Sequence, residues 1–324
     1  MTNRAPRGAL VAMAVGAALI STSAVFVKWT SVGPTASAFW RMGLAGILLL
    51  AWLARPKVRA GWKPSRRVLG LLLAAAVFFA IDLWMWHRSI LYVGVGLATL
   101  LGNFQVFALA GYGALVLGER GGWRLWAGLL LALAGLALLL APGWSGFDAR
   151  FRLGIAFGLG TAVAYGAFLI AFRAGQAQRG SLSNEAMLWW LCLFSATLLL
   201  GMTLLGDEKL RPAGAADWGA LLAYALIAQV FGWLVIGRVM PKLQAGVLGL
   251  CLLLQPLLSY VWDWLLFDAH LGAVELCGLG LSLAGIFLGL ARAQSTREAG
   301  DGAEAKAAPE VGLRSGAPAD GHRD

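Results

Sequence analysis

Long apolar runs alternate with short polar stretches along this chain. Ten runs stand out, at about 8–28, 34–54, 68–87, 93–117, 123–141, 152–174, 184–206, 217–239, 244–267 and 271–291. Most hold about 20 residues, the length a helix needs to cross the hydrocarbon core of a bilayer. Pro34 opens the second run, where a first-turn proline is at home. The first run follows Arg4 and Arg7 as a secretory signal would. It is longer than a signal core and flows into Lys28-Trp29, so it reads as a helix. Short connections make successive helices antiparallel neighbours.

Composition sharpens this picture. The chain has 324 residues, 60% of them apolar and 13% charged, with 43 glycines. A soluble globule could not hide that much apolar surface, so soluble enzymes, disordered chains and disulfide-stapled secreted domains are excluded. The net charge of +10 lies mainly in short loops, without a continuous basic face or RNA-binding motif, and nucleic acid is not an expected partner. Lys and Arg divide sixteen to six between alternate sides of the runs. The richer side holds Arg55, Lys63 and Arg179, and the poorer holds Lys28, Arg88, Arg150 and Lys209. By the positive-inside rule both termini are cytoplasmic, and Trp29, Trp52, Trp123, Trp126 and Trp218 suit an interfacial belt. Cys192, Cys251 and Cys277 fall inside runs and read as buried small hydrophobes. The three histidines are scattered, so neither metal nor cofactor is expected. Residues 292–324 are small and polar, and are expected to be a disordered cytoplasmic tail.

Sliding the chain against itself by 150 residues aligns the fourth and fifth runs with the ninth and tenth. Gly96, Gln105, Gly128, Ala134 and Gly135 recur as Gly246, Gln255, Gly278, Ala284 and Gly285, and Arg88 recurs as Arg238. Five crossings per copy is an odd number, so the second copy enters the bilayer upside down. The expected fold is an all-α integral membrane protein with ten transmembrane helices as two inverted five-helix repeats, residues 8–141 and 152–291. Inverted repeats point to a transporter with its substrate near the midplane.

The stretch from Gly94-Val-Gly-Leu97 to Gly118-Glu119-Arg120, then Trp126-Ala-Gly128 and Ala134-Gly135, resembles the EamA domain of the drug/metabolite transporter superfamily. Leu254-Gln255-Pro256-Leu257, Gly278 and Ala284-Gly285 repeat the resemblance, and Arg41 matches a position where that family often carries arginine. The resemblance implies a ten-helix carrier of small organic metabolites in a bacterial inner membrane, often an exporter of amino acids or related compounds. Gln255-Pro256 stands where Glu-Pro is usual, Asp268-Ala269 where Gly-Glu is usual, and Val106 where the first repeat commonly has proline. The missing glutamate puts a proton-coupling role there in doubt.

Polar groups within runs are the candidate site, because a charge at the bilayer centre costs about 2.5–3.5 kcal/mol. Arg41 and Asp82 fall at depths that agree to about 3 Å along their helices. They read either as a structural ion pair or as charges lining a cavity. Trp86, one turn from Asp82, would give an amine-bearing substrate an aromatic face, or would belong to the interfacial belt. Asn103, Gln105, Tyr165, Gln229 and Gln255 suit neutral hydrogen bonding, to substrate or between helices. Asn103 and Gln105 are two apart and cannot share a helical face. Pro256 removes one amide donor, leaves the Leu252 carbonyl free, and is a hinge candidate. Gly154-x-x-x-Gly158 and Gly285-x-x-x-Gly289 read as close-packing surfaces within a chain that is a monomer or homodimer. Gly143-Trp144-Ser145-Gly146 resembles a nucleophile motif only superficially, with no histidine to activate the serine, and argues against an enzyme. Alternatives to the metabolite exporter are a multidrug or cationic-compound exporter, a passive channel and a membrane-embedded enzyme.

Overall fold

The computed structural model describes residues 7–55, 61–118, 122–140, 148–267, 272–274 and 276–288. Glu119-Arg120, the 143–146 loop, Asp268, Gly289 and the 292–324 tail, each singled out in the sequence, lie outside them. Every regular element among the described residues is helical. They are α1 (Arg7–Ser21), α2 (Ser23–Lys28), α3 (Pro34–Leu53), α4 (Arg66–Gly102), α5 (Gln105–Leu115), α6 (Trp123–Leu140), α7 (Ala149–Gln178) and α8 (Asn184–Leu205). Then follow α9 (Ala215–Ala223), a π-helix (Tyr224–Gly232), α10 (Trp233–Val239), α11 (Ala245–Leu252), α12 (Leu254–Leu266) and α13 (Leu276–Leu288).

Seven stretches are long and apolar enough to cross a membrane: Arg7–Lys28, Pro34–Leu53, Arg66–Val93, Ala149–Gln178, Asn184–Leu205, Ala215–Lys242 and Ala245–Leu266. Three shorter apolar helices accompany them, Gln105–Leu115, Trp123–Gly135 and Leu276–Leu288. Helix starts have local causes. Asp148 caps α7 by accepting from the Phe151 amide, and Ser183 caps α8 by accepting from the Ala186 amide. Gly33 cannot cap α3, so Glu208 from across the fold does, accepting from the Thr35 amide at 2.7 Å and the Thr35 hydroxyl at 2.6 Å.

The expected third and fourth runs differ from the structure at their junction. The sequence suggests a connection over 88–92, with Arg88 at a boundary. Instead the helical backbone continues from Arg66 to Gly102 and folds back on itself between Val93 and Ala98. The packing of α7 shows the reversal. A Cβ on Gly158 would meet Leu101 Cβ at 2.7 Å and Ser89 Oγ at 3.0 Å, although a straight helix would hold those residues about 18 Å apart. Before the turn Tyr92 and Val93 lie on Gly154, and after it Gly102 and Ala108 lie on Thr161 and Gly166. Arg88 therefore stays helical, its guanidinium 4.0 Å over the Trp84 ring.

The main helix contacts join the part of the chain before residue 141 to the part after 152. Helix α7 lies along α4, α3 along α8, α1 along α10, and α5 along α11. Glycines permit the close approaches. Gly16 faces Ile236 and the Gly232 carbonyl, Gly232 faces Ile20, and Gly249 faces Val106. Helix α6 meets α13 with a twofold relation. Gly135 packs on Gly278 and Ser282, while Gly285 packs on Gly128 and Ala132. Each of these positions has its mate 150 residues on, and Ser282 Oγ donates to the carbonyl of its own mate, Ala132, at 2.9 Å.

Two polar clusters tie the ends of the bundle. At one end Asp217 accepts from the Ser31 amide at 3.0 Å, the Ser31 hydroxyl at 2.6 Å and the Ala213 amide at 2.7 Å, beside the Glu208 cap. At the other, Ser183 N donates to Gly61 O and Trp190 Nε1 to Trp62 O. Gln176 donates to Asn184 at 2.6 Å there. Cys192 and Cys251 are buried as expected, whereas Cys277 is exposed, on the side of α13 that no described helix covers.

Candidate functional site

Arg41 sits seven residues into α3, about 10 Å along its axis. Its side chain is 4% exposed. Nε donates to Gln229 Oε1 at 2.7 Å and Nη1 to the Tyr224 hydroxyl at 3.0 Å. The guanidinium lies 4.9 Å from the Tyr224 ring centre and 5.7 Å from that of Phe79, both within cation–π range. Phe79 stacks on Phe168 at 4.3 Å, and Trp233 sets its edge against both. The cation thus rests on a rigid aromatic floor contributed by α4, α7 and α10. Phe79 and Gln229, which flank it, are 150 residues apart.

Of the two readings of Arg41 and Asp82, the ion pair is not formed: no carboxylate of the described residues lies within 4.0 Å of Arg41. Nε and Nη1 of Arg41 are engaged by neutral oxygens, and from α4 the ring of Phe79 lies against the guanidinium. Asp82 is nonetheless buried, 6% exposed. Tyr165 on α7 stacks on Phe168 at 5.7 Å and so joins the aromatic floor beneath Arg41, and its hydroxyl neighbours the Gln255 side chain. The Gln255 Nε2 is buried and donates to no described residue.

Arg41, Gln229, Asp82, Tyr165 and Gln255 therefore gather around one interior region. The remaining candidates divide. Asn103 is buried but spends its amide on the Thr99 carbonyl at 2.7 Å, within its own helix. Gln105 is 3% exposed, its Oε1 accepts from no described residue, and its backbone borders Gly166 next to Tyr165. Trp86 is half-buried against His87, ring centres 5.1 Å apart. Pro256 is buried in α12, and the helix is interrupted just before it, at Leu253. An interruption at Asn103 and Phe104 separates α4 from α5.

Tyr224 and Cys192 are members that the sequence reading missed. Cys192 Sγ receives Gln229 Nε2 at 3.7 Å, which fixes which end of that amide faces Arg41. Tyr224 reads as one more aromatic in an apolar run, and nothing local marks it. At 100° per residue Tyr224 and Gln229 would stand about 140° apart on an α-helix. The π-helix, with its i to i+5 bonding, brings them to one face. Among the described residues no group of three or more His, Cys, Asp or Glu gathers to hold a metal.

The chain is similar to transporters along its length. The pseudopaline exporter CntI of Pseudomonas aeruginosa, from two strains, is 23% identical over 272 residues, covering 84% of this chain and 91% of the relative. A solved structure titled only as the crystal structure of a protein superposes with a TM-score of 0.75 at 19% identity, over 90% of this chain and 99% of that one. That likeness concerns the fold. The EamA-like transporter family matches twice, at residues 7–141 and 152–290. Matched by that family in both halves, the chain belongs to the EamA-like transporter family and is a membrane transporter, not an enzyme.

Proposed function

We propose that this transporter exports amino acids or related zwitterionic compounds across a bacterial inner membrane by alternating access. Its ten helices form two inverted five-helix repeats, 8–141 and 152–291, with both termini cytoplasmic. The contacts of α6 with α13 through positions 150 apart favour this reading, as does the double family match. The substrate binds between the repeats, its carboxylate at Arg41 and its amine at Asp82. Tyr165, Gln229 and Gln255 lie around it, and Pro256 marks a moving segment.

One observation carries the proposal. Arg41 and Asp82 are both buried within the same helical bundle and yet form no ion pair with each other. A buried, separated pair of opposite charges is costly in a bilayer and is retained where it meets a ligand. A zwitterion completes both ends at once. The similar protein is named as an exporter of pseudopaline, which supports export of a small metabolite.

The test is uptake into proteoliposomes of labelled amino acids, simple carboxylates and simple amines. Zwitterions should be carried, and Asp82→Asn and Arg41→Gln should each lose them while folding normally. Transport of amines alone by the wild type, or undiminished zwitterion transport by Asp82→Asn, would overturn the proposal.

A further inference from the structure

We infer that Gln229 and Tyr224 are positioning residues, brought to one face by the π-helix to hold Arg41 as a charged but uncompensated cation for an anionic group of the substrate. The inference rests on the central site proposed above and assigns it a recognition device.

The choice of partners is informative. A buried arginine held for structure alone is best matched by a carboxylate, which takes two parallel N–H bonds. Here the two acceptors are a neutral amide and a neutral hydroxyl, so orientation is fixed while the charge is left in place. Guanidinium carries five N–H donors. Two are used among the described residues, and Nη2 donates to none of them. The amide cannot turn over freely, because Gln229 Nε2 is held at Cys192 Sγ while Oε1 faces Arg41.

The backbone supports the same purpose. Nine consecutive residues, Tyr224–Gly232, wind as a π-helix in the middle of a span whose flanks, α9 and α10, are α-helical. Such segments are rare and cost helical hydrogen-bond geometry. Without the wider winding, Gln229 and Tyr224 could not both reach the same guanidinium. Asp82 does not take over the role, since it stays beyond ion-pair distance.

Gln229→Glu tests this directly. A carboxylate at 229 would occupy Arg41 internally while keeping the shape of the side chain. The expected result in proteoliposomes is a rise of about tenfold or more in KM for carboxylate-bearing substrates, with maximal rate within about twofold and thermal stability equal or higher. A carboxylate-free amine carried by the wild type should keep its KM. A merely structural Arg41 predicts the same gain in stability with no change in KM, and that result overturns the inference. If Gln229→Glu does not fold, Tyr224→Phe decides. It keeps the ring beneath the cation and removes one acceptor, so KM for carboxylates should rise severalfold and the amine should be unaffected. An unchanged KM in that variant also overturns the inference. Failure of the wild type to carry any zwitterion would instead strike the function proposed above, which separates the two.

Discussion

The crossing of α6 and α13 offers the sharpest structural test. On Gly285 a new Cβ would lie 2.6 Å from the Gly128 carbonyl oxygen and 2.9 Å from Ala132 Cα, with the Ala132 amide nitrogen closer still. On Gly135 it would lie 2.5 Å from the Gly278 carbonyl oxygen and press on Ser282. These neighbours are backbone and cannot swing aside, so the helices must part by about 1 Å to reach ordinary contact distance. Overpacking of that kind costs ~1–3 kcal/mol. A glycine-to-alanine change also removes up to ~1 kcal/mol of helix cost, which the control Gly280→Ala isolates. Gly280 lies on the same helix, with nothing within 4 Å of its new Cβ. Thermal denaturation in detergent should place Gly135→Ala and Gly285→Ala several degrees below Gly280→Ala, at similar midpoints. Because both changes push apart the same two backbones, the double variant should lose less than the sum of the singles. Gly285→Ala as stable as Gly280→Ala would refute the close crossing. Strict additivity would refute the shared, twofold contact.

Three further outcomes are expected. Cysteines at Lys63 and Arg179 should be shielded from impermeant thiol reagents in intact cells, while those at Asp148 and Asp207 react; labelling at position 63 would reverse the orientation. Glu208→Ala removes the charged cap on α3 and should cost ~1–2 kcal/mol in a melt, with Glu208→Gln costing less; equal stability of all three proteins would mean the cap contributes nothing. Pro256→Ala restores a donor toward the Leu252 carbonyl and should slow substrate exchange while sparing expression, and exchange at the normal rate would remove the hinge role.

The start of α3 was legible from Pro34 at a first turn, whereas the Asp148 and Ser183 caps, one residue before α7 and α8, emerged only with the structure. The reversal after Val93 was misplaced because Arg88 looks like a loop residue, whereas the true turn lies in an apolar stretch with no polar punctuation. The π-helix was invisible for a related reason. Tyr224–Gly232 is apolar nearly all round, so no periodicity is left to betray a change of winding. Arg41, Asp82 and Gln229 were recognisable one by one as polar groups in lipid. Their partners were not, since Arg41 and Gln229 are 188 residues apart and depth arithmetic alone pointed to Asp82.

The two copies also show how a repeat keeps a backbone feature while exchanging its chemistry. Helix α4 gives way to α5 at Asn103, and α11 to α12 at Leu253, positions 150 apart. The second break precedes a proline, but the first copy has Val106 in that place. There the Asn103 side chain and its backbone amide both donate to the Thr99 carbonyl, at 2.7 and 3.1 Å. A proline that removes a donor and an asparagine that folds its side chain back onto the backbone each accompany a helix break inside an apolar bundle. The charges, by contrast, are not repeated. The mate of Arg41 is Leu191 and the mate of Asp82 is Gly232. Arg41 lies against Phe79 and Gln229, themselves 150 residues apart, so a side chain from each copy holds it. A cation held by both copies needs no second arginine, which would only repel the first. Duplicated helix breaks beside an unduplicated arginine are what the central site proposed above would require of a repeated scaffold.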